Sequence, residues 1–297
     1  MNMIMPRRPG CAELRSGDLG VRLAIGRAEI DAAQALRYDI FYNEMGARAD
    51  AATVARRRDQ DMFDEVAEHL VVLDHAASDM RAGIVATYRL IDAAAAARVG
   101  GFYSAGEFDI AALLATAGNV LELGRSCVHP RYRGGRAMQL MWRGLAAYVY
   151  ARRIDVMFGC ASLPGTDPDR IADQLTYLHH AHMAPAALRP RALSQHYVEM
   201  QRGDASALDV RRTTAALPPL IKGYLRLGGW VGDGAVIDAA FNTIDVAIVV
   251  RTDQVTERYM RHYEREFGDA EGYADRIGCG NPQPVCGRIA ANIAATV

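Results

Sequence analysis

The chain has 297 residues, of which 51% are hydrophobic and 23% charged, and its formal net charge is -1. That balance excludes a disordered, collagen-like or coiled-coil protein and a strongly basic nucleic-acid binder, and the length suffices for a large core. No stretch reaches the roughly 18 apolar residues of a membrane span, and Arg7, Arg8, Pro9 and Gly10 lead into no apolar run of a secretory signal. Any membrane contact is therefore expected to be peripheral. Cys11, Cys127, Cys160, Cys279 and Cys286 are scattered without a CxxC spacing. They point to a reducing cytoplasm and against a zinc site or disulfide framework, although Cys279 and Cys286 are near enough in sequence to pair. Lys222 is the single lysine among 34 Lys and Arg residues, a bias that fits a GC-rich genome.

Residues 21–25 alternate and predict a strand, and 28–45 carry apolar residues at helical spacing. Residues 46–66 are polar and end in Asp59, Asp61, Asp64 and Glu65, which predicts a long loop. Two strands follow at 69–74 and 83–91, then a short helix at 110–115 in an alanine-rich stretch. Residues 120–128 predict a strand, 129–135 a Pro/Gly/Arg loop, 136–153 an amphipathic helix, and 155–161 a buried strand. A turn at 164–167 leads to a helix capped by Asp167 and running to about His182. Further on, a strand near 196–200, a helix at 217–227 opened by Pro218, a strand at 243–251 and a helix at 256–266 are expected. Residues 1–20 are expected to be flexible, 21–266 to form the folded domain, and 267–297 to be a disordered tail. The strand–loop–helix–strand–helix order predicts an α/β layer fold.

The segment from Leu121 to Arg136 carries the chemistry. A glycine-bearing turn between strand and helix leaves the first helical N–H groups unpaired, which suits a phosphate, and Arg131, Arg133 and Arg136 strengthen it. A tight turn with solvated arginines is the plainer reading. Arg131-Tyr-Arg-Gly134-Gly135 resembles the acyl-donor loop of the GNAT acyltransferases. Arg136 stands where the last Gly or Ala of that pattern would be, and Ala137 follows one position late. A narrower resemblance covers about residues 21–266, with residues 184–266 as its family-specific C-terminal extension. Glu122-Leu-Gly-Arg125-x-x-Val128, Phe158-Gly-Cys-Ala-Ser162, Gly165-Thr-Asp167, Leu217 to Gly228 and Phe241-Asn-Thr-Ile-Asp245 are similar to the ornithine N-acyltransferases of ornithine-lipid synthesis, sometimes labelled haemolysin-like. Leu36 to Glu44 matches their first helix and that of the acyl-homoserine-lactone synthases.

The resemblance implies a GNAT-like fold, α/β (α+β), with a central mixed sheet flanked by helices. It implies transfer of a 3-hydroxyacyl group from the phosphopantetheine of acyl carrier protein to the α-amine of L-ornithine, giving lyso-ornithine lipid. No bound cofactor is expected, and a single pantetheine phosphate suits the altered loop. An amine attacking a thioester needs a base, an oxyanion donor and a proton for the leaving thiolate. Backbone around Ser126, Cys127 and Val128 is the oxyanion candidate. Glu122 is either the base or a partner of an arginine. Strand alternation sets Glu122 and Ser126 on one face, Leu123 and Arg125 on the other. Tyr177 is a proton-donor candidate or plain packing. Cys127 and Cys160 read as small buried hydrophobes rather than nucleophiles. Arg131, Arg133, Gly134, Gly135, Arg136 and Lys222 form the donor-binding set. Arg125, Arg37, Glu44 and Asp61 form the acceptor-binding set, although an ion pair of Arg125 with Glu44 or Asp64 fits as well. Asp59, Asp61 and Asp64 read first as a solvated charge run, and second as a site for the ornithine side chain. The spacing of His179, His180 and His182 places no three ligands together, so no metal is expected. A basic stripe from Arg131 through Arg143 to Arg152 and Arg153 suits an acidic carrier protein, with its far end solvated. Acylation of another amino-acid-like amine, or a non-enzymatic membrane-active protein, are the alternatives.

Overall fold

The computed structural model describes residues 13–254, Gly134 excepted. The helix expected at 256–266, the tail, Cys11, Cys279 and Cys286 lie outside the described residues, as does Gly134 of the donor loop. The strands are β1 (Leu14–Ser16), β2 (Leu19–Leu23), β3 (Glu68–Asp74), β4 (Ile84–Asp92), β5 (Phe108–Asp109), β6 (Val120–Val128), β7 (Val156–Pro164), β8 (Arg191–Ala192), β9 (Tyr197–Val198), β10 (Trp230–Asp238) and β11 (Thr243–Arg251). They run in the order β1-β2-β3-β4-β6-β7-β11-β10-β8-β5, with β9 added on β10. β6 and β7 are parallel, as are β8 and β10, in an otherwise antiparallel sheet. Helices α1 (Gly26–Tyr38), α2 (Ala51–Arg56), α3 (Met80–Gly83), α4 (Ala93–Arg98), α5 (Ala111–Thr116), α6 (Arg136–Arg152), α7 (Ala172–His182), α8 (Val210–Ala216) and α9 (Pro219–Arg226) flank it.

Alternation in the strands sorts the core into two layers. On one face Leu140, Met141 and Leu145 of α6 meet Val21, Leu70, Val72 and Tyr88, and α7 and α9 extend the same cluster over β10 and β11. Each fully buried side chain of this size contributes about 1.5–3 kcal/mol. On the opposite face Ala33 and Leu36 of α1, with Ile40 just beyond its end, pack against Val71, Ile84 and Cys127. Beyond it, Phe102, Phe108 and Leu113 cover Phe158, Val236 and Val249. A trench between these two covers remains on that second face, and the polar residues described below fill it.

Four expectations are corrected. Within residues 1–20, expected to be flexible, β1 and the start of β2 pair as a hairpin. The loop expected at 46–66 contains α2, capped by the Asp50 side chain, and a 3-10 turn at Met62–Glu65 whose Asp61 and Asp64 form a reciprocal cap. The helix at 28–45 divides into α1 and a π turn, Asp39–Glu44. β10 was not expected at all. Gly232 and Gly234 dilute its apolar pattern, and its pairing with β11 shifts between Val231 and Ala235.

Candidate active site at the strand fork

β6 and β7 pair only through Val120↔Val156, Leu121↔Met157 and Glu122↔Phe158. β7 then stays with β11 and β6 with β4, so the two strands splay. Gly159 sits in the crotch, where a Cβ would lie 2.2 Å from the Leu123 carbonyl oxygen, so only glycine permits the fork. A small pocket lies here, lined by Leu123, Gly159, Cys160, Tyr224 and Ile248 among others. Tyr224 and Tyr88 share a hydroxyl–hydroxyl hydrogen bond beside it.

One arm of the fork carries a bulge. The β4–β6 register slips between Thr87↔Cys127 and Arg89↔Gly124, and Arg125 takes a left-handed φ of 52°. The extra residue reverses the alternation, because a one-residue slip exchanges the faces. Arg125 therefore lies on the same face as Glu122, and both reach Tyr103: the Arg125 guanidinium sits 4.8 Å from its ring centroid, and Glu122 accepts its backbone N–H. Ser126 turns to the other face with Leu123, beside Tyr88. The expected pairing of Glu122 with Ser126 is thus overturned by the bulge.

The acidic stretch is not a solvated run. Arg37 is fully buried and donates to Asp59 Oδ2 (2.7 Å), Asp64 Oδ1 (2.8 Å) and Asp64 Oδ2 (3.0 Å), and also to the Asp59 carbonyl. Arg89, from β4, donates to Asp61 Oδ1 at 2.5 Å. Arg125 pairs with Asp59 at 3.2 Å and Asp61 at 3.3 Å, rather than with Glu44 or Asp64. Its guanidinium is held between the Tyr103 and Phe241 rings, 4.8 and 4.5 Å from their centroids. Asp59 and Asp64 are buried, while the Asp61 side chain is 27% exposed. Burial works against charging Asp64, yet Arg37 and Arg89 hold its carboxyl well below the usual range. Three arginines match three aspartates, which makes a neutral buried knot.

Glu122 is buried and accepts N–H bonds from Tyr103 (2.9 Å) and Ser104 (2.6 Å), so its partners are backbone donors and not an arginine. Burial raises its carboxyl, against the pull of these bonds. Next to it lie Glu107, Cys160 and Asp245, with ligand-type atoms all within 4.8 Å of one another. The Cys160 thiol donates to Glu107 Oε2 and Ser104 Oγ, each at 3.4 Å. Burial raises the Cys127 thiol to about 12 and lifts Cys160 too, so neither is set up as a thiolate.

The donor-loop residues divide. Gly135, with φ 117°, precedes α6, whose first turn holds no acid. That combination leaves helical N–H groups and a positive dipole end toward solvent. Arg131 and Arg136 are exposed and enter no ion pair among the described residues, and the Arg136 guanidinium lies near the Gly17 turn. Arg133 is engaged: it clamps Glu44 through two bonds, 2.5 and 2.8 Å, and donates to the Val128 carbonyl. Arg152 pairs with Glu68. Lys222 donates to the Ala215 carbonyl at the end of α8, 3.0 Å away. Tyr177 packs on the α6 face, its hydroxyl 3.1 Å from His182 Nε2. Of the acceptor set, Arg37, Asp61 and Arg125 come together in the knot, whereas Glu44 sits apart with Arg133.

Sequence reasoning missed Arg89, Tyr103, Glu107 and the role of Asp245. Arg89 and Asp245 had a signal: each is a charge inside an apolar strand, Asp245 between Ile244 and Val246. Glu107 had none.

A mixed sheet whose central parallel pair forks, with a bulge in one arm and a glycine-led helix N-terminus next to it, defines a GNAT-type acyltransferase. Residues 36–143 match the acetyltransferase (GNAT) domain family. The L-ornithine N(alpha)-acyltransferase of Agrobacterium fabrum is 46% identical over 255 residues, 85% of this chain and 87% of that protein. That of Rhizobium meliloti is 45% identical over 86% of this chain and 87% of its own length. The chain is an acyltransferase and belongs to the L-ornithine N(alpha)-acyltransferase family. Among solved structures, FeeM, an N-acyl amino acid synthase from uncultured soil microbes, aligns over 78% of this chain and 90% of its own with a TM-score of 0.43 and 13% identity. No helix among the described residues is long and apolar enough to cross a membrane.

Proposed function

We propose that this protein transfers a 3-hydroxyacyl group from acyl carrier protein to the α-amine of L-ornithine, giving lyso-ornithine lipid. The observation that carries this reading is the kinship at 46% identity, in a chain whose fork is intact. The donor thioester enters the fork, and its single pantetheine phosphate rests at Gly135 and the start of α6, with Arg131 and Arg136 beside it. His129 N–H bonds the Val85 carbonyl of β4, so alternation turns the N–H groups of Val128 and Ser126 toward the open fork. They receive the oxyanion. Glu122, at the last paired position, takes the proton of the attacking ammonium through water. Each of its oxygens keeps a lone pair beyond its backbone bond. Nitrogen bonds to the carbonyl carbon, the C–S bond breaks, and the thiolate leaves with the second proton shed by the attacking nitrogen. The Arg125 guanidinium, 13% exposed in the trench, receives the acceptor carboxylate.

The test is expression in a host that makes no ornithine lipid, with mass spectrometry of its lipids. A new 3-hydroxyacyl-ornithine is the expected product. An acylated homoserine lactone, or cell lysis by pure protein without any acyl donor, would point to the other readings. Purified protein is expected to prefer the carrier-bound donor over the matching acyl-CoA. Equal kcat/KM would remove the carrier from the proposal.

A further inference from the structure

The trench holds two kinds of buried charge, and only one is balanced. Arg37, Arg89 and Arg125 are matched by Asp59, Asp61 and Asp64. No ion pair reaches Glu107 or Asp245 among the described residues, and Asp245 Oδ1 is buried without a hydrogen bond of ordinary geometry, with the Ser162 and Thr243 hydroxyls beside the carboxyl. Asp245 is 5% exposed, the floor of a niche whose walls are the half-buried Glu107 and Cys160. An orphaned carboxylate oxygen at such depth is destabilising unless a proton or a cation meets it. Burial raises the carboxyls of both residues, and Asp245 adds to the effect on Glu107.

We propose that Glu107 and Asp245 receive the side-chain ammonium of a diamino-acid acceptor. This assignment rests on the acyl transfer proposed above and adds the residues that select the acceptor. An ammonium brings three donors, which suit one oxygen orphaned on Asp245 and a half-buried carboxylate on Glu107. The protonated Cys160 thiol, a poor ligand for a metal, serves as a donor to Glu107. The reach is right. Cys160 stands two residues beyond Phe158 at the fork, about 7 Å along β7. An acceptor with its α-amine at the fork and three methylenes between its amines spans that separation. The two ends of the acceptor are then read separately: the carboxylate by Arg125 and the far ammonium by Glu107 and Asp245. Held as a cation, the far nitrogen is no nucleophile, which leaves the α-amine to react.

The experiment compares ornithine with norvaline, the same skeleton without the second amine, at saturating acyl donor and with the full chain. Wild type is expected to favour ornithine at least a hundredfold in kcat/KM. Asp245→Asn and Glu107→Gln should each reduce that preference at least tenfold, through KM for ornithine and with a far smaller change in kcat. Glu107→Gln, at the half-buried wall, serves if Asp245→Asn does not fold. Equal losses for both acceptors would make these carboxylates part of the general chemistry or the scaffold and overturn the assignment. So would a wild type that uses norvaline as well as ornithine. If wild type acylates neither amine while folded and supplied with donor, the acyl-transfer reading itself falls, and this one with it.

Discussion

Two clusters of buried charge share one face of the sheet, and they are built in opposite ways. In the knot, every arginine has its aspartate, and Arg37 alone makes four hydrogen bonds. In the niche, Glu107 accepts the Cys160 thiol, no ion pair reaches it or Asp245 among the described residues, and one Asp245 oxygen is left without an ordinary hydrogen bond. A matched set fixes shape: it ties α1, the 59–65 turn, β4 and β6 into one frame around the fork. An unmatched pair of carboxylates calls for a partner, because an uncompensated buried charge is costly. The contrast teaches where to look for the acceptor's far ammonium: beside the strong ion pairs, not in them.

The largest effect should come from breaking the knot. Arg37→Met leaves Asp59 and Asp64 buried without their cation and should lower the unfolding free energy by about 3–5 kcal/mol. Urea titration reads this directly, and a loss below about 1 kcal/mol would mean the knot is not a structural unit. Next comes Glu122→Gln, expected to reduce kcat by about a hundredfold with KM for the donor kept and the fold intact by circular dichroism. Near wild-type turnover would take Glu122 out of the proton path.

The niche should respond to pH where the knot does not. A carboxyl whose pKa is raised by folding opposes folding once its unfolded value is passed. Asp245 thus weakens the native state from about pH 4 upward, until its raised native value is passed. Asp245→Asn removes this titration. Its stability relative to wild type should rise between pH 4 and neutrality and show no such rise below pH 4. A difference constant across pH would contradict the unpaired state of Asp245. The smallest effects are expected at the rim. Charge reversal at Arg136, which pairs with no acid among the described residues, should raise KM for the carrier-bound donor several-fold, and added salt should do the same to wild type. A short pantetheine thioester, with no carrier body, should respond little. Lys222→Arg tests the last member of the donor set. Because Lys222 caps the Ala215 carbonyl, a stability change without an activity change would make it a structural residue.

Much of the fold was legible because alternation survives in β3, β4, β6, β7 and β11, and helical spacing in α1 and α6. β10 was hidden by its glycines. The fork residues were legible as a motif, since strand, turn and helix follow each other directly in the chain. The bulge was not: nothing in Gly124-Arg125-Ser126 announces a left-handed Arg125, and that one conformation exchanged the faces of Arg125 and Ser126. The aspartates at 59, 61 and 64 read as a solvated run because their arginines come from positions 37, 89 and 125, distances that only the tertiary fold closes. Asp245 was visible as a lone carboxylate in an apolar strand, but its neighbour Glu107 was not.

The position of the acyl group on the product tests the central claim most directly. Purified protein, given 3-hydroxyacyl carrier protein and L-ornithine, should form one amide, and tandem mass spectrometry should place it on the α-nitrogen with the side-chain amine unmodified. In Asp245→Asn the same assay should show slower product formation at low ornithine and the first δ-acylated material. Acylation of the δ-nitrogen by the wild-type protein, or an equal mixture of the two amides, would contradict an acceptor held by its far ammonium in the niche and by its α-amine at the fork.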